Sequence, residues 1–440
     1  MAKPARSQPL AKLKAFKGEL SLDRNRLPVS FRAGVDASGA IDLRFTAIPL
    51  TKRSIFILHG WEREKSLVTY FSLKGTAEDG TTFDTSHLSF NSLGTTLGPL
   101  KLQGRCSKAV ITYKLACPVE KPALRVRLKG FKSFSTNHAE CALGTVQIAA
   151  LHEFEDANIV TGSISIQTET HPADVEAWRK EAEKLVEHIR RVMSFASASM
   201  LRAPLFEFFN GDTIVVTAYS ETRAWSSPIP VIHFLDHETI FQTAVRSFFN
   251  PPVAVKHLFF AIEWLAMHAT YSEVRLVAAM TALENLIDSN LDEVDASILP
   301  KKGFEKTRRV LRKVIRRCVE KWPDGGDEVT RELNERLADL NRRAFLRKLK
   351  LLATHWGVPL DDISEASLQA AKNSRDRIVH RGQYYEDRTD DDPDLWEHVT
   401  IIREVAIRFV LTALGFKGRY ESYVGGHHSA MFPPSSLGAP

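Results

Sequence analysis

From about Phe16 to Ile166 apolar and polar residues alternate with period two. In "IDLRF", Ile41, Leu43 and Phe45 share one face and Asp42 and Arg44 the other. In "ALRVRLKG", Leu124, Val126 and Leu128 oppose Arg125, Arg127 and Lys129, and "SISIQTE" repeats the pattern briefly. Turn signals such as Ser38-Gly39 and Asp79-Gly80 separate these runs. Short alternating strands with frequent turns predict an antiparallel, sandwich-like or barrel-like domain over residues 16–170. After His171-Pro172 the period changes to that of a helix. Residues 173–199 read as one long helix with Trp178, Leu185, Ile189, Val192 and Met193 inward. "DTIVVTAYS" reads as a strand, and residues 171–235 together as a connecting segment. From Asp236 the pattern is helical throughout. The Asn250-Pro251-Pro252 break precedes two apolar helices at 255–270 and 272–289. Further helices are expected at 304–319, within 327–355, from an N-cap at Asp362 to Gly382, and from Trp396 to Leu414. The fold class expected is α+β and multidomain: a β-rich domain, then an all-α bundle over 236–423, with disordered tails at 1–15 and 424–440.

A chain of 440 residues exceeds what one core usually serves, which agrees with two domains. Hydrophobic content of 44% and charged content of 25% exclude wholesale disorder. The net charge of +6 is unevenly placed. Residues 301–350 hold 17 Lys and Arg against 8 Asp and Glu, so the basic character belongs to one segment. The four cysteines form no Cys-x-x-Cys pair, so neither a zinc site nor a disulfide framework is read, and a reducing cytosol is the simplest setting. The basic N-terminus has no apolar core of the kind a signal peptide needs, and no apolar run is long enough to span a membrane. His427-His428 could bind metal only weakly, with no third ligand apparent. No Walker loop, dinucleotide-binding glycine motif or zinc-protease motif occurs. No metal and no cofactor are expected.

On a helical wheel, residues 304–319 place Val310, Leu311, Val314, Ile315 and Cys318 on one side. Arg308, Arg309, Arg312, Lys313, Arg316 and Arg317 fall on the other. Such a cationic face is either a solvated surface or one that tracks phosphates, gaining affinity by releasing counterions from nucleic acid.

The candidate chemistry lies in "NSRDRIVHRG", residues 373–382. Arg375 suits bidentate grip of a phosphate, and His380, near a helix C-terminus, suits proton transfer. Ile378 and Val379 are expected to anchor the segment in the core. The same residues also fit ordinary capping and surface ion pairing. Arg53 and His59, a near-match inside a β-patterned stretch, are read as a chance occurrence. Five residues on a regular helix separate Arg375 and His380 by about 140°, so either the helix loosens near His380 or each meets its counterpart from a second subunit. Tyr384 and Tyr385 would stack on a base or pack at a domain edge.

This stretch resembles the signature of the HEPN superfamily: Arg, a polar residue (here Asp376), a few residues, then His. "YSEVRLVAAMTALENLID" is similar to the preceding helix of Apea-like HEPN proteins, with Glu284 at an acidic place, and "RIVHRG" and "LTALGFKGRYESY" fit the same family. The helical likeness covers roughly residues 240–423; that of the β-rich domain is architectural only. The resemblance implies a metal-independent endoribonuclease that works as a homodimer. His380 would be the acid or base, Arg375 would stabilise the scissile phosphate, Asp376 would orient one of them, and Glu284 would support Arg375 or form an ordinary ion pair. Arg377 and Arg381 would join the cationic helix in contacting RNA. Family members often serve as prokaryotic toxins or anti-phage effectors, so the β domain is expected to sense or restrain in response to a phage or cellular trigger. Two other readings stand beside it: a non-catalytic dimerising binding protein, and a nucleic-acid-binding regulator acting through residues 304–319.

Overall fold

A computed structural model describes residues 10–49, 51, 54–57, 69–94, 99, 101–133, 135–150, 158–220, 229–322, 326–382, 384 and 394–434. It is α+β, with a β-rich N-terminal and a helical C-terminal half, and divides into two compact units, residues 1–250 and 251–440. The boundary falls at the Asn250-Pro251 break rather than at 235.

The first unit holds an eleven-stranded antiparallel sheet in the order β3-β2-β1-β4-β5-β7-β10-β9-β8. Its strands run β1 (Ala11–Leu22), β2 (Asn25–Val35), β3 (Ile41–Phe45), β4 (Phe71–Thr76), β5 (Thr82–Gly94), β6 (Lys101–Cys106), β7 (Lys108–Lys129), β8 (Asn137–Cys141), β9 (Gly144–Ala150), β10 (Val160–Gln167) and β11 (Arg202–Tyr219). β6 joins β5, and β11 joins β7. Hydrogen bonding thus makes one continuous network, not two separate sheets. β1 begins at Ala11, so residues 11–15 are a paired strand where a disordered tail was expected; residues 1–9 lie outside the described set.

Two parts of this sheet share β7. Its first half pairs with β5 and with the end of β11, as at Thr82↔Thr112 and Val216↔Ile111. There the alternating pattern buries Phe16, Phe31, Phe71, Phe83 and Phe90, with the Phe16 and Phe31 rings stacked at 5.3 Å. Ile41, Leu43 and Phe45 pack on that cluster from one face, as their spacing requires. The second half of β7 pairs with β10 and the start of β11. Leu124, Val126 and Leu128 are fully buried. On the opposite face Arg125 and Arg127 both donate to the buried Glu207 carboxylate, at 2.6 and 2.8 Å. β11 therefore completes the sheet rather than linking domains. α1 (Val175–Ala196) is capped by Asp174, buries all five residues expected to face inward, and donates the Trp178 indole N–H to the Leu143 carbonyl at 2.9 Å. α2 (His237–Phe249) closes the unit.

Burial holds the imidazoles of His188 and His237 down to about 4. Both are neutral in the fold and take up a proton on unfolding below the ordinary histidine value. Stability that depends on them is complete above about pH 6.5 and is lost as pH falls towards 4, by on the order of 2 kcal/mol per histidine. Urea unfolding of the full chain between pH 7 and 4.5 should show that decline, and His237→Phe should remove part of it.

The second unit contains α3 (Leu258–Leu265), α4 (Ser272–Asn290), α5 (Glu293–Ala296), α6 (Lys301–Val319), α7 (Asp327–Arg336), a 3-10 turn (Leu337–Asn341), α8 (Phe345–Trp356), α9 (Glu365–Arg381) and α10 (Leu395–Leu414). α10 is the central helix, buried on nearly every side, and α4 and α9 pack on it. The unit is not all helical. β12 (Gly418–Ser422) pairs with β13 (His428–Phe432), so residues expected in a disordered tail form a hairpin. His427 gives its Nε2 to the Glu421 carboxylate at 2.6 Å, and no described group of three His, Cys, Asp or Glu residues is placed to hold a metal.

One buried ionic network locks this unit. Arg408, on α10, donates to Glu404 at 2.9 Å, to both Asp362 oxygens at 2.5 and 2.7 Å, and to the Pro359 carbonyl at 3.0 Å. Tyr420 and Ser422, from β12, donate to the same Glu404 at 2.5 and 3.1 Å. Asp362 is thus occupied by Arg408. The N-cap of α9 is instead Ser364, whose hydroxyl accepts from the Ser367 amide at 3.0 Å. No described helix is long and apolar enough to cross a membrane, and the four cysteines are free thiols.

Candidate functional site

α9 carries the candidate residues and runs unbroken from Glu365 to Arg381. It stops at Gly382, whose φ of +79° is the left-handed conformation that glycine adopts without penalty. Leu368, Ala371 and Ser374 seat the helix. Ile378 continues that face and is half-buried, whereas Val379 is 53% exposed and anchors nothing. The 3.6-residue period explains the difference: one residue beyond Ile378 the helix has already turned about 100° away.

Arg375 is a positioned cation rather than a free one. Its Nη2 donates to both oxygens of Glu284, on α4, at 2.7 and 2.6 Å. Its Nη1 donates to Asp376 at 3.1 Å, and its Nε is buried without a partner among the described residues. Lys372 donates to the other Asp376 oxygen at 2.5 Å. Burial alone would raise the Asp376 carboxyl, but hydrogen bonds and charge from Lys372 and Arg375 outweigh it and hold the group below the usual carboxylate range. The structure thus brings together Glu284, Lys372, Arg375 and Asp376, two cations and two anions. Lys372 was not among the sequence candidates; its i,i+4 spacing to Asp376 was the available signal.

His380 is not part of that cluster. It is exposed and makes no hydrogen bond or ion pair among the described residues. The helix does not loosen before it, so Arg375 and His380 diverge by about 140° within one chain. Arg377 and Arg381 are also exposed. Tyr384 is buried with its ring edge-on to His398 at 6.1 Å, a packing role. Tyr385, Arg53 and His59 lie outside the described residues.

The cationic helix departs from its wheel. α6 packs on α7 and the 3-10 turn, whereas α9 packs on α4 and α10. Arg309, Arg312, Lys313, Arg316 and Arg317 are exposed as expected. Arg308 is instead half-buried and paired with Glu305 at 3.4 Å. Of the apolar side, Leu311 and Ile315 are half-buried, but Val310 and Val314 are 61% and 48% exposed and Cys318 is exposed. The covered face centres on Phe304 and Val319, rotated from the wheel's apolar axis.

Comparison of the chain with protein-family models, with curated protein sequences and with solved structures finds no match.

Removing the Glu284 carboxylate leaves a half-buried guanidinium with one acid in place of two. Glu284→Ala should cost about 1 kcal/mol, discounted for the solvent that both side chains still see. A urea midpoint unchanged from wild type would refute that.

Proposed function

We propose that the protein is a metal-independent endoribonuclease of HEPN type. The observation that supports this best is the Glu284–Arg375–Asp376 cluster. An acidic residue on one helix fixes the motif arginine of another, five residues before a solvent-facing imidazole at a capped helix end.

In the reaction, His380 takes the proton of a ribose 2′-hydroxyl. The 2′-oxygen attacks phosphorus, the bond from phosphorus to the 5′-oxygen breaks, and the leaving oxygen gains a proton. The products are a 2′,3′-cyclic phosphate and a 5′-hydroxyl. Arg375 offsets charge on the phosphoryl oxygens, and Asp376 and Glu284 orient it. Because α9 is regular, one chain cannot bring both side chains to one phosphate. The reading therefore requires a homodimer in which each arginine works beside the imidazole of the second copy. Arg309, Arg312, Lys313, Arg316 and Arg317 on α6, with Arg377 and Arg381, supply cations for the RNA backbone. The setting is the prokaryotic cytosol, as a toxin or anti-phage effector. The β-rich unit senses a phage or cellular trigger.

One observation favours a second reading. Arg375 already has two carboxylate partners and spends Nη2 on Glu284, so a phosphate held in a bidentate grip must displace that carboxylate. A dimerising scaffold that binds without cutting would keep the cluster as it stands. Incubation with total cellular RNA in EDTA separates the two. Fragments formed by wild type and absent with His380→Ala support cleavage. Intact RNA from wild type under every activating condition supports the scaffold.

A further inference from the structure

A pocket of about 380 Å³ lies in the second unit between α5, the start of α6 and the end of the 3-10 turn. Its walls are fixed before any ligand arrives. Ser297 and Arg342 form an isolated β-bridge, the Ile298 amide donates to the Asn341 carbonyl at 2.8 Å, and the Arg343 amide donates to the Ala296 carbonyl at 3.0 Å. The Asn341 side chain completes the clamp by accepting from the Leu299 amide at 2.8 Å and donating to the Leu299 carbonyl at 3.0 Å. Two segments far apart in sequence are thus joined by a double set of backbone and side-chain bonds. A site built this way loses little conformational freedom on binding.

The lining has three kinds of surface. Val294, Leu299 and Pro300 form an apolar wall over Phe304, with Val294 and Leu299 74% and 40% exposed. Lys301, Arg308 and Arg342 bring three positive charges, and Glu293 and Glu305 bring two negative ones. The cations are loosely engaged. Lys301 lies 4.0 Å from Glu293, Arg308 3.4 Å from Glu305, and Arg342 3.4 Å from Asp339. The pairs at Arg375 and Lys372 close to 2.6 and 2.5 Å. The Arg308 Nε is buried with no hydrogen-bond partner among the described residues. α6 also starts without a side-chain cap, so its amide end adds partial positive charge.

We propose that this pocket binds a nucleoside monophosphate, either free or as the terminal residue of an RNA chain. Arg342, Arg308 and Lys301 hold the phosphate by charge-assisted hydrogen bonds. The apolar wall packs the base. Glu293 and Glu305, which would repel a bare anion, accept hydrogen bonds from ribose hydroxyls or an exocyclic amine. A phosphate ion alone would leave the wall and both carboxylates unused; a nucleotide engages all three surfaces. The site is separate from Arg375 and His380, and its occupancy does not depend on RNA being cut.

Isothermal titration of the full-length protein with 5′-AMP, adenosine and inorganic phosphate tests this. AMP should bind once per chain, with adenosine, which lacks the group the cations hold, and phosphate, which lacks the base and ribose, each weaker by about tenfold or more. Arg342→Ala should weaken AMP by a similar factor. Arg342 is largely exposed, at 79%, so this variant should melt as wild type does. Arg308→Gln provides a second, independent lesion. No binding of AMP at millimolar concentration, or binding that neither substitution weakens, would overturn the proposal. The source follows from unmodified pentanucleotides titrated into the His380→Ala protein, which keeps this pocket and on the reading above does not cut them. A 5′-phosphorylated pentamer binding better than AMP, and better than its 5′-hydroxyl form, assigns the site to an RNA end. AMP binding without the pentamer assigns it to a free nucleotide. His380→Ala should leave the AMP, adenosine and phosphate titrations unchanged, so loss of cleavage and loss of this site are read separately.

Discussion

Arg408→Met should lower the unfolding free energy of the chain by about 3–5 kcal/mol, the usual cost of breaking a buried ion pair from one side. The arginine is 6% exposed and its partner Glu404 is 2% exposed. Without the guanidinium, Glu404 keeps the hydroxyls of Tyr420 and Ser422 as hydrogen-bond donors and the charge of the buried Arg403 nearby, but loses the cation bonded to it. Asp362, 61% exposed, returns to water at little cost. The penalty therefore falls on Glu404. Removing its charge as well, in Arg408→Met with Glu404→Gln, should recover part of the loss, because a buried anion without its bonded cation is the expensive species. Denaturant unfolding of the two variants checks both statements. A double variant less stable than the single one would show that packing, not charge, dominates the site. The hydrogen bonds also couple α10 to the hairpin, so the β12–β13 amides should lose hydrogen-exchange protection in the single variant.

His380→Ala should abolish RNA cleavage, by about 10²–10⁴-fold, the range that a positioned acid or base contributes. Its exposure means that the substitution should leave the melting temperature in place, so a dead enzyme cannot be blamed on a broken fold. Arg375→Ala should be equally inactive but less stable, because it takes the bonded cation from Glu284, while Asp376 keeps Lys372. The unbroken α9 makes a sharper test possible. If each reaction centre takes its arginine from one copy and its histidine from the other, mixing the two dead variants regenerates one intact centre in each mixed dimer. Statistical exchange of subunits would then restore about a quarter of wild-type activity. If the two copies pool all four groups in one cleft, mixing restores none. Activity of either variant alone at the wild-type rate would end the nuclease reading.

The elements that were legible in the sequence are those whose period is long and unambiguous. Trp178, Leu185, Ile189, Val192 and Met193 announced a helix and all are buried; Leu124, Val126 and Leu128 announced a strand face and are fully enclosed. The pairing of Glu284 with Arg375 was one of two readings that the acidic place on an apolar helix allowed. What was not legible depends on partners distant in sequence. Asp362 has every local mark of a helix cap, but Arg408 lies far along the chain and takes it. The alternation in β11 signalled a strand but could not say that the strand closes the first unit's sheet. Val379 was misplaced because a short β-branched pair looks like an anchor until the helix phase is known. The α6 wheel failed for a similar reason: the face that is covered is set by what packs on the helix, and it is rotated from the apolar arc so that Arg308 is half-buried while Val310 and Val314 are exposed.

The shared strand β7 has a consequence during synthesis. β11, which pairs with β7 from Lys108 to Lys129, leaves the ribosome only after β8, β9, β10 and α1 have been made. Until Tyr219 emerges, β7 presents a long open margin of amide and carbonyl groups, the kind of template on which nascent chains cross-pair. Ribosomes stalled between Lys129 and Arg202 should therefore carry chains that bind holding chaperones, and release past Tyr219 should end that association.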